Sequence, residues 1–187
     1  MNGPMWVFAY GSLMWRPGFD AAECQPALLR GLHRCFCVVS HVHRGTPEQP
    51  GLVAGLDLGG ACRGLALRVH EGEETTVLDY LRAREQPTMV YRETTRRVEF
   101  VDLQSQSGGG EARALCFVVD RGHHQYSGPL SLDQQARLVR SGVGRSGRSI
   151  DYLEEMVSCL AELGIRDAGL ARLAESARGR RAVFVRK

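Results

Sequence analysis

Met5-Trp-Val-Phe-Ala-Tyr10 followed by Gly11-Ser12-Leu13 is the stretch on which the fold turns. A short apolar and aromatic run that stops at a Gly-Ser pair reads as a buried strand entering a tight loop. Arg16-Pro-Gly18 extends that loop. A strand that breaks at glycine exposes successive backbone N–H groups, and such a nest binds a carboxylate or a developing oxyanion. Tyr10, Gly11, Ser12 and Leu13 are therefore candidate ligand-binding residues, although an ordinary turn after a strand has the same spacing. Ser12 as a nucleophile is the weaker reading, because the G-x-S-x-G elbow is absent and no base stands nearby in the chain.

Working outward from that loop, Cys35-Phe-Cys-Val-Val39 lies in an apolar run over 28–40 and predicts a second strand. Arg44-Gly-Thr-Pro-Glu-Gln-Pro-Gly51 has two prolines and two glycines in eight residues, which is loop chemistry. Leu52 to Leu58 and Cys62 to Val69 are apolar runs separated by Gly59-Gly60, and the pattern predicts a hairpin. Tyr91 to Leu103 and Ala112 to Asp120 predict two further strands, with Gly108-Gly-Gly110 at the hairpin tip between them. Helical spacing covers 73–85, 132–141, 149–163 and 167–177, with Ser131 placed to cap the second of these. Strands first and helices later argue for an α+β domain whose antiparallel or mixed sheet can close into a small barrel.

The helix over 73–85 carries the second candidate. Leu78 and Leu81 share a face with Val77 beside them, and the next position on that stripe is Glu85. Pro87 limits the helix just beyond it. A carboxylate packed on an apolar stripe, at the helix end where the dipole disfavours negative charge, is pushed toward a higher pKa. That suits a general base working near neutrality. The alternative on spacing alone is a frayed end with Glu85 in water or paired with Arg82 or Arg84.

Other signals point away from chemistry. Gly142-Val-Gly-Arg-Ser-Gly147-Arg148-Ser149 nearly matches the phosphate-binding pattern G-x-x-x-x-G-K-[ST], but Arg148 replaces the lysine and a helix precedes it. A Gly-rich joint between helices is the better reading. Six histidines are scattered through the chain; His41 and His43 could share a strand face, as could Cys35 and Cys37, but a zinc site needs four ligands in tighter pairing. No metal is expected. The six cysteines form no C-x-x-C pair and are expected to be reduced.

The 187 residues suffice for one domain over 1–177, followed by a basic tail over 178–187. Apolar residues make up 43% and the net charge is +3, much of the excess lying in that tail. A solvated tail is expected, with no nucleic-acid partner. No run approaches the ~20 apolar residues of a membrane span. The N-terminal residues lack a basic stretch followed by a long apolar one, so a cytoplasmic protein is expected.

Six segments taken together resemble the ChaC family of γ-glutamylcyclotransferases. They are Ala9-Tyr-Gly-Ser-Leu-Met-Trp-Arg-Pro-Gly-Phe19, His43-Arg-Gly-Thr-Pro-Glu48, Gly55-Leu-Asp-Leu-Gly-Gly60 with Cys62-Arg-Gly64, Tyr80-Leu-Arg-Ala-Arg-Glu85, Gln125-Tyr-Ser-Gly128, and Gly144-Arg-Ser-Gly147 with Asp151-Tyr-Leu153. Ala9 stands where Gly is common in the family, and Ser149 where Asn is frequent. The resemblance implies a mixed barrel with flanking helices. It implies conversion of glutathione to 5-oxoproline and Cys-Gly, with neither metal nor organic cofactor. It places the substrate loop on Tyr10, Gly11, Ser12 and Leu13 and the catalytic glutamate on Glu85. Arg44 and Tyr152 are added as groups that bind a substrate carboxylate or line the pocket, against a surface ion pair and a helix-packing aromatic. Three alternatives stand: a γ-glutamylamine cyclotransferase, a γ-glutamyl acylase, and a non-enzymatic regulator of cation transport. A monomer and a homodimer both fit the sequence.

Overall fold

The structure, a computed structural model, describes residues 3–102 and 108–179. The tail residues from Arg180 onward and the stretch 103–107 lie outside it. The chain divides into two compact units, 1–35 with 55–124, and 36–54 with 125–187.

The first unit holds the five-stranded closed barrel expected from the sequence. Its strands are β1 (Trp6–Ala9), β2 (Ala21–Ser40), β3 (Gly51–Val69), β4 (Tyr91–Val101) and β5 (Gly108–Val119), in the spatial order β1-β3-β2-β4-β5; β2 and β3 each run on into the second unit. The sheet is mixed. β1 pairs antiparallel with β3, from Trp6 opposite Arg68 to Ala9 opposite Leu65, and parallel with β5, through Trp6–Ala114 and Val7–Leu115. A strand with neighbours on both edges and walls on both faces must be apolar throughout, and Val7, Phe8 and Ala9 are fully buried. β4 and β5 form the long antiparallel pair from Tyr91–Val119 to Glu99–Glu111, with an irregularity before Val101 meets Gly108. Gly108-Gly-Gly110 thus lies inside β5 and is not the hairpin tip.

Two strands are longer than their apolar runs. β2 spans 20 residues and takes in Pro26, with a left-handed Gly31 (φ +81°) along its length. The predicted hairpin at Gly59-Gly60 is one continuous strand of 19 residues. Both glycines have positive φ, +99° and +66°. Consecutive left-handed glycines serve a tight hairpin and a bulged bend equally well, and here the chain bends and carries on.

Helix α1 (Glu74–Glu85) belongs to the first unit. Its buried stripe is Val77 and Leu81, with Leu78 half-buried, and Glu85 follows Leu81 by one turn on that stripe.

The second unit contains α2 (Leu132–Ser141), α3 (Ser149–Glu162) and α4 (Ala168–Ala177), packed against one another, and a two-stranded ladder of β6 (Val143–Gly144) and β7 (Gly147–Arg148). Ser131 caps α2 as expected: its hydroxyl accepts from Gln134 N–H, and the Gln134 side chain accepts from Ser131 N–H. Ser149, fully buried, donates its hydroxyl to Leu52 C=O and accepts from Leu52 N–H. The backbone around it is closely packed: a Cβ on Gly51 would meet Arg44 O, and one on Gly142 would meet Gly51 Cα. Among the described residues, no helix is long and apolar enough to cross a membrane.

Candidate functional site

β1 delivers Tyr10 to the end of the barrel wall, and three strands hold it there. The Tyr10 hydroxyl donates to Phe117 C=O on β5 at 2.8 Å. Arg34 on β2 donates from Nε to Tyr10 C=O at 2.6 Å and from Nη2 to Arg63 C=O on β3 at 2.6 Å. Gly64 on β3 lets the strands close, since a Cβ there would stand 2.3 Å from Ala9 O. Tyr10 is thus a buried anchor, braced by Arg34, which no local pattern in the chain marks.

Past Tyr10 the chain turns at Gly11 into a short 3-10 helix, Ser12–Met14. Met14 N–H returns to Gly11 C=O, and Arg16 N–H to Ser12 C=O. The first amides of such a helix have no acceptor within it. Gly11 and Leu13 are buried and Ser12 is half-buried.

Glu85 meets this loop through Arg84. The Glu85 carboxylate accepts from Arg84 Nε at 3.2 Å, and Arg84 Nη2 donates to Ser12 Oγ at 2.9 Å. The Glu85 side chain is 18% exposed. Burial pushes its pKa above the ordinary glutamate value, and the Arg84 guanidinium opposes that push without cancelling it. Of the alternatives given by the spacing, the pairing with Arg84 is present, whereas a carboxyl standing in open water is not. Arg82, the other proposed pairing, turns to Glu93 at 2.7 Å.

Arg44 and Tyr152 come together in the second unit. The Arg44 guanidinium lies 5.3 Å over the Tyr152 ring, and its Nη1 donates to Arg148 C=O at 3.1 Å. Tyr152 is buried and its ring also meets Phe36.

The Gly-rich stretch 142–149 is a joint, as its sequence suggested. Several of its N–H groups go to protein carbonyls: Arg145 to Val42, Ser146 to His43 and Ser149 to Gly142. His41 and His43 lie beyond the end of β2 and share no strand face; His43 Nδ1 instead meets Ser146 Oγ at 3.0 Å. His33, Cys35 and Asp57 bring an imidazole, a sulfur and a carboxylate within 4.8 Å of one another. Asp57, however, is committed to Arg121 Nε at 2.6 Å and to Leu58 N–H at 2.7 Å. Cys24, Cys62, Cys116 and Cys159 are thiols outside any disulfide, whereas Cys35 and Cys37 are in the disulfide form, which departs from the reduced state expected for all six. A cavity of about 410 Å³ lined by Leu28, Arg30, Arg63, Glu99, Phe100, Val101 and Gly110 shares no residue with the glycine turn or with Glu85.

Comparisons with known proteins bear on the family and the fold. The glutathione-specific γ-glutamylcyclotransferase of Escherichia coli (strain K12) is 34% identical over 169 residues, covering 90% of this chain and 71% of the relative. γ-Glutamylcyclotransferase 2-3 of Arabidopsis thaliana is 32% identical over 183 residues, covering 93% and 88%. A crystal structure of a yeast γ-glutamyl cyclotransferase specific to glutathione superposes with a TM-score of 0.85 over 99% of this chain and all of that one; at 22% identity it speaks for the fold alone. The profile of the ChaC-like proteins matches residues 5–180, and the chain belongs to that family.

Proposed function

We propose that this protein is a glutathione-specific γ-glutamylcyclotransferase, a lyase that releases 5-oxoproline and Cys-Gly. The observation that carries the reading is the Glu85 carboxyl, removed from bulk water and joined through one guanidinium to the glycine turn of Ser12. A buried carboxyl whose pKa is raised holds a proton more readily than one in water, which suits it to take up a proton and give it back.

The γ-glutamyl α-amine of glutathione is protonated in water and is not a nucleophile in that form. Glu85 removes one of its protons. The freed amine attacks the γ-carbonyl of the same residue, and a five-membered ring closes as the C–N bond forms. Negative charge gathers on the carbonyl oxygen, where N–H groups of the Gly11–Leu13 turn would stabilise it. The ring nitrogen, cationic after the attack, gives its second proton to solvent, and collapse breaks the bond to the cysteinyl nitrogen, which leaves with the proton held by Glu85. General acid–base action of this kind is worth about 10²–10⁴-fold in rate. The reaction needs neither an electron acceptor nor a second substrate. Arg44, stacked on Tyr152 within the second unit, is by itself a candidate for binding a carboxylate, for which a guanidinium is the best-shaped donor.

Purified protein is incubated with glutathione, and in parallel with γ-glutamyl amines, with 5-oxoproline measured chromatographically. Release from glutathione and little from the amines is the expected result. Preferential release from the amines would make the protein a γ-glutamylamine cyclotransferase, and no release from either would end the enzymatic reading.

A further inference from the structure

Arg84 has more committed contacts in this site than the residue it pairs with. Its Nη1 donates to Arg16 C=O at 2.6 Å, to Tyr80 hydroxyl at 2.8 Å and to Pro17 C=O at 3.3 Å. Its Nη2 donates to Ser12 Oγ at 2.9 Å, and its Nε faces Glu85 Oε1 at 3.2 Å. One planar fork thus spans both ends of the loop that begins at Gly11 and the last turn of α1. The loop is shaped to receive it: Gly18 is left-handed (φ +76°), and a Cβ there would stand 1.8 Å from the Tyr80 hydroxyl that Arg84 also binds. Side-chain exposure of Arg84 is 23%. Only a guanidinium offers five N–H donors in a fixed plane; a lysine ammonium carries the same charge on a flexible stem with three.

We propose that Arg84 is the positioning residue of this site: its guanidinium fastens the Ser12–Gly18 loop to α1 and holds the Glu85 carboxyl facing that loop. The proposal rests on the catalytic reading given for Glu85. Arg84 acts through Glu85 and through the loop backbone, so its removal misplaces both partners of the reaction at once. A displacement of about 1 Å at such a site costs on the order of 10²-fold in rate.

The surroundings allow the effect to be isolated. Arg84 is the one charged group acting on Glu85 among the described residues. Arg82 on the same helix is turned to Glu93 and Asp79. Tyr80 faces Arg84, and the loop presents the Ser12 hydroxyl and the Arg16 and Pro17 carbonyls.

The test compares wild type with Arg84→Met, Arg84→Lys and, as a control of equal charge change on the same helix, Arg82→Met. Three readouts are taken: kcat and KM for 5-oxoproline release across pH, the Glu85 carboxyl titration by carbon NMR, and hydrogen exchange of the Ser12–Gly18 amides. Arg84→Met is expected to lower kcat about 30–100-fold, to move the Glu85 titration and the acid limb of kcat/KM to higher pH, and to speed exchange in the loop. Arg84→Lys should restore the titration, because the charge returns, but not kcat or loop protection, because the fork does not. Arg82→Met should match wild type. Arg84→Met with titration and loop exchange unchanged would overturn the proposal even if its activity fell with stability. Full recovery of kcat in Arg84→Lys would overturn it too, leaving charge alone as the cause. If wild type releases no 5-oxoproline, the catalytic reading fails, while the titration and exchange data still decide whether the clamp exists.

Discussion

Glu85 shows how one residue can be costly to the fold and useful to the chemistry. Drying its carboxyl raises the pKa, and Arg84 limits the rise. As the general base, Glu85 must be ionised in the free enzyme, so kcat/KM should fall as pH drops through its raised pKa. The acid limb of the pH–rate profile should accordingly stand above the ordinary glutamate value of about 4.3. Stability runs the other way. A carboxyl whose folded pKa lies above its unfolded one binds its proton more tightly in the folded state. Its contribution is full below the unfolded value and is lost as pH rises through the folded one. Glu85→Gln, which cannot ionise, should therefore raise Tm relative to wild type at pH 8 and lose that advantage at pH 4, as differential scanning calorimetry would show. An equal difference at both pH values would mean that burial does not perturb the carboxyl. From sequence, the stripe position of Glu85 was legible, since Leu81 precedes it by one turn. Arg84 was legible only as a possible ion pair, because nothing in the spacing reveals that its other donors reach Ser12, Arg16 and Pro17, some 70 positions earlier.

At the scale of elements, α1 and the glycine turn are separate pieces fixed by different means. α1 buries only Val77 and Leu81 as its apolar stripe. The turn is held by what surrounds Tyr10: Phe117 C=O, Arg34 and the bare backbone of Gly64 against Ala9. Gly64→Ala puts a methyl 2.3 Å from a backbone oxygen, so β1 or β3 must shift. We expect a loss of about 1–3 kcal/mol in urea unfolding together with a fall in kcat, because the strand that moves is the one carrying Tyr10. A variant as stable and active as wild type would show that the strands can separate without disturbing the loop. Element types were readable where local chemistry was decisive: Ser131 and Gln134 cap α2 as their spacing required. They were misread where one pattern serves two geometries. Gly59 and Gly60, both left-handed, read as a hairpin and are a bend within β3. His41 and His43 were given a strand face that ends at Ser40.

For the whole molecule, the least legible feature is the closure of the barrel. The parallel pairing of Trp6 with Ala114 joins residues more than 100 positions apart, and no local signal encodes it. Only its consequence is legible along the chain, an apolar run in β1 with no polar face. Because β1 is enclosed by β3 and β5, its amides should exchange only on global unfolding. Native-state hydrogen exchange should place Val7 and Phe8 among the slowest amides of the chain, and their exchange through local opening would contradict a closed barrel. The six motif segments span both compact units, which is why their joint occurrence identified the family when no one of them could.

The central claim is that the Glu85 carboxyl carries the proton. Its most direct test is 5-oxoproline release from glutathione by Glu85→Gln, with circular dichroism confirming the fold. The account predicts a loss of at least about 100-fold in kcat/KM in a protein whose spectrum matches wild type. Release by the folded Gln variant within a few-fold of wild type would contradict it.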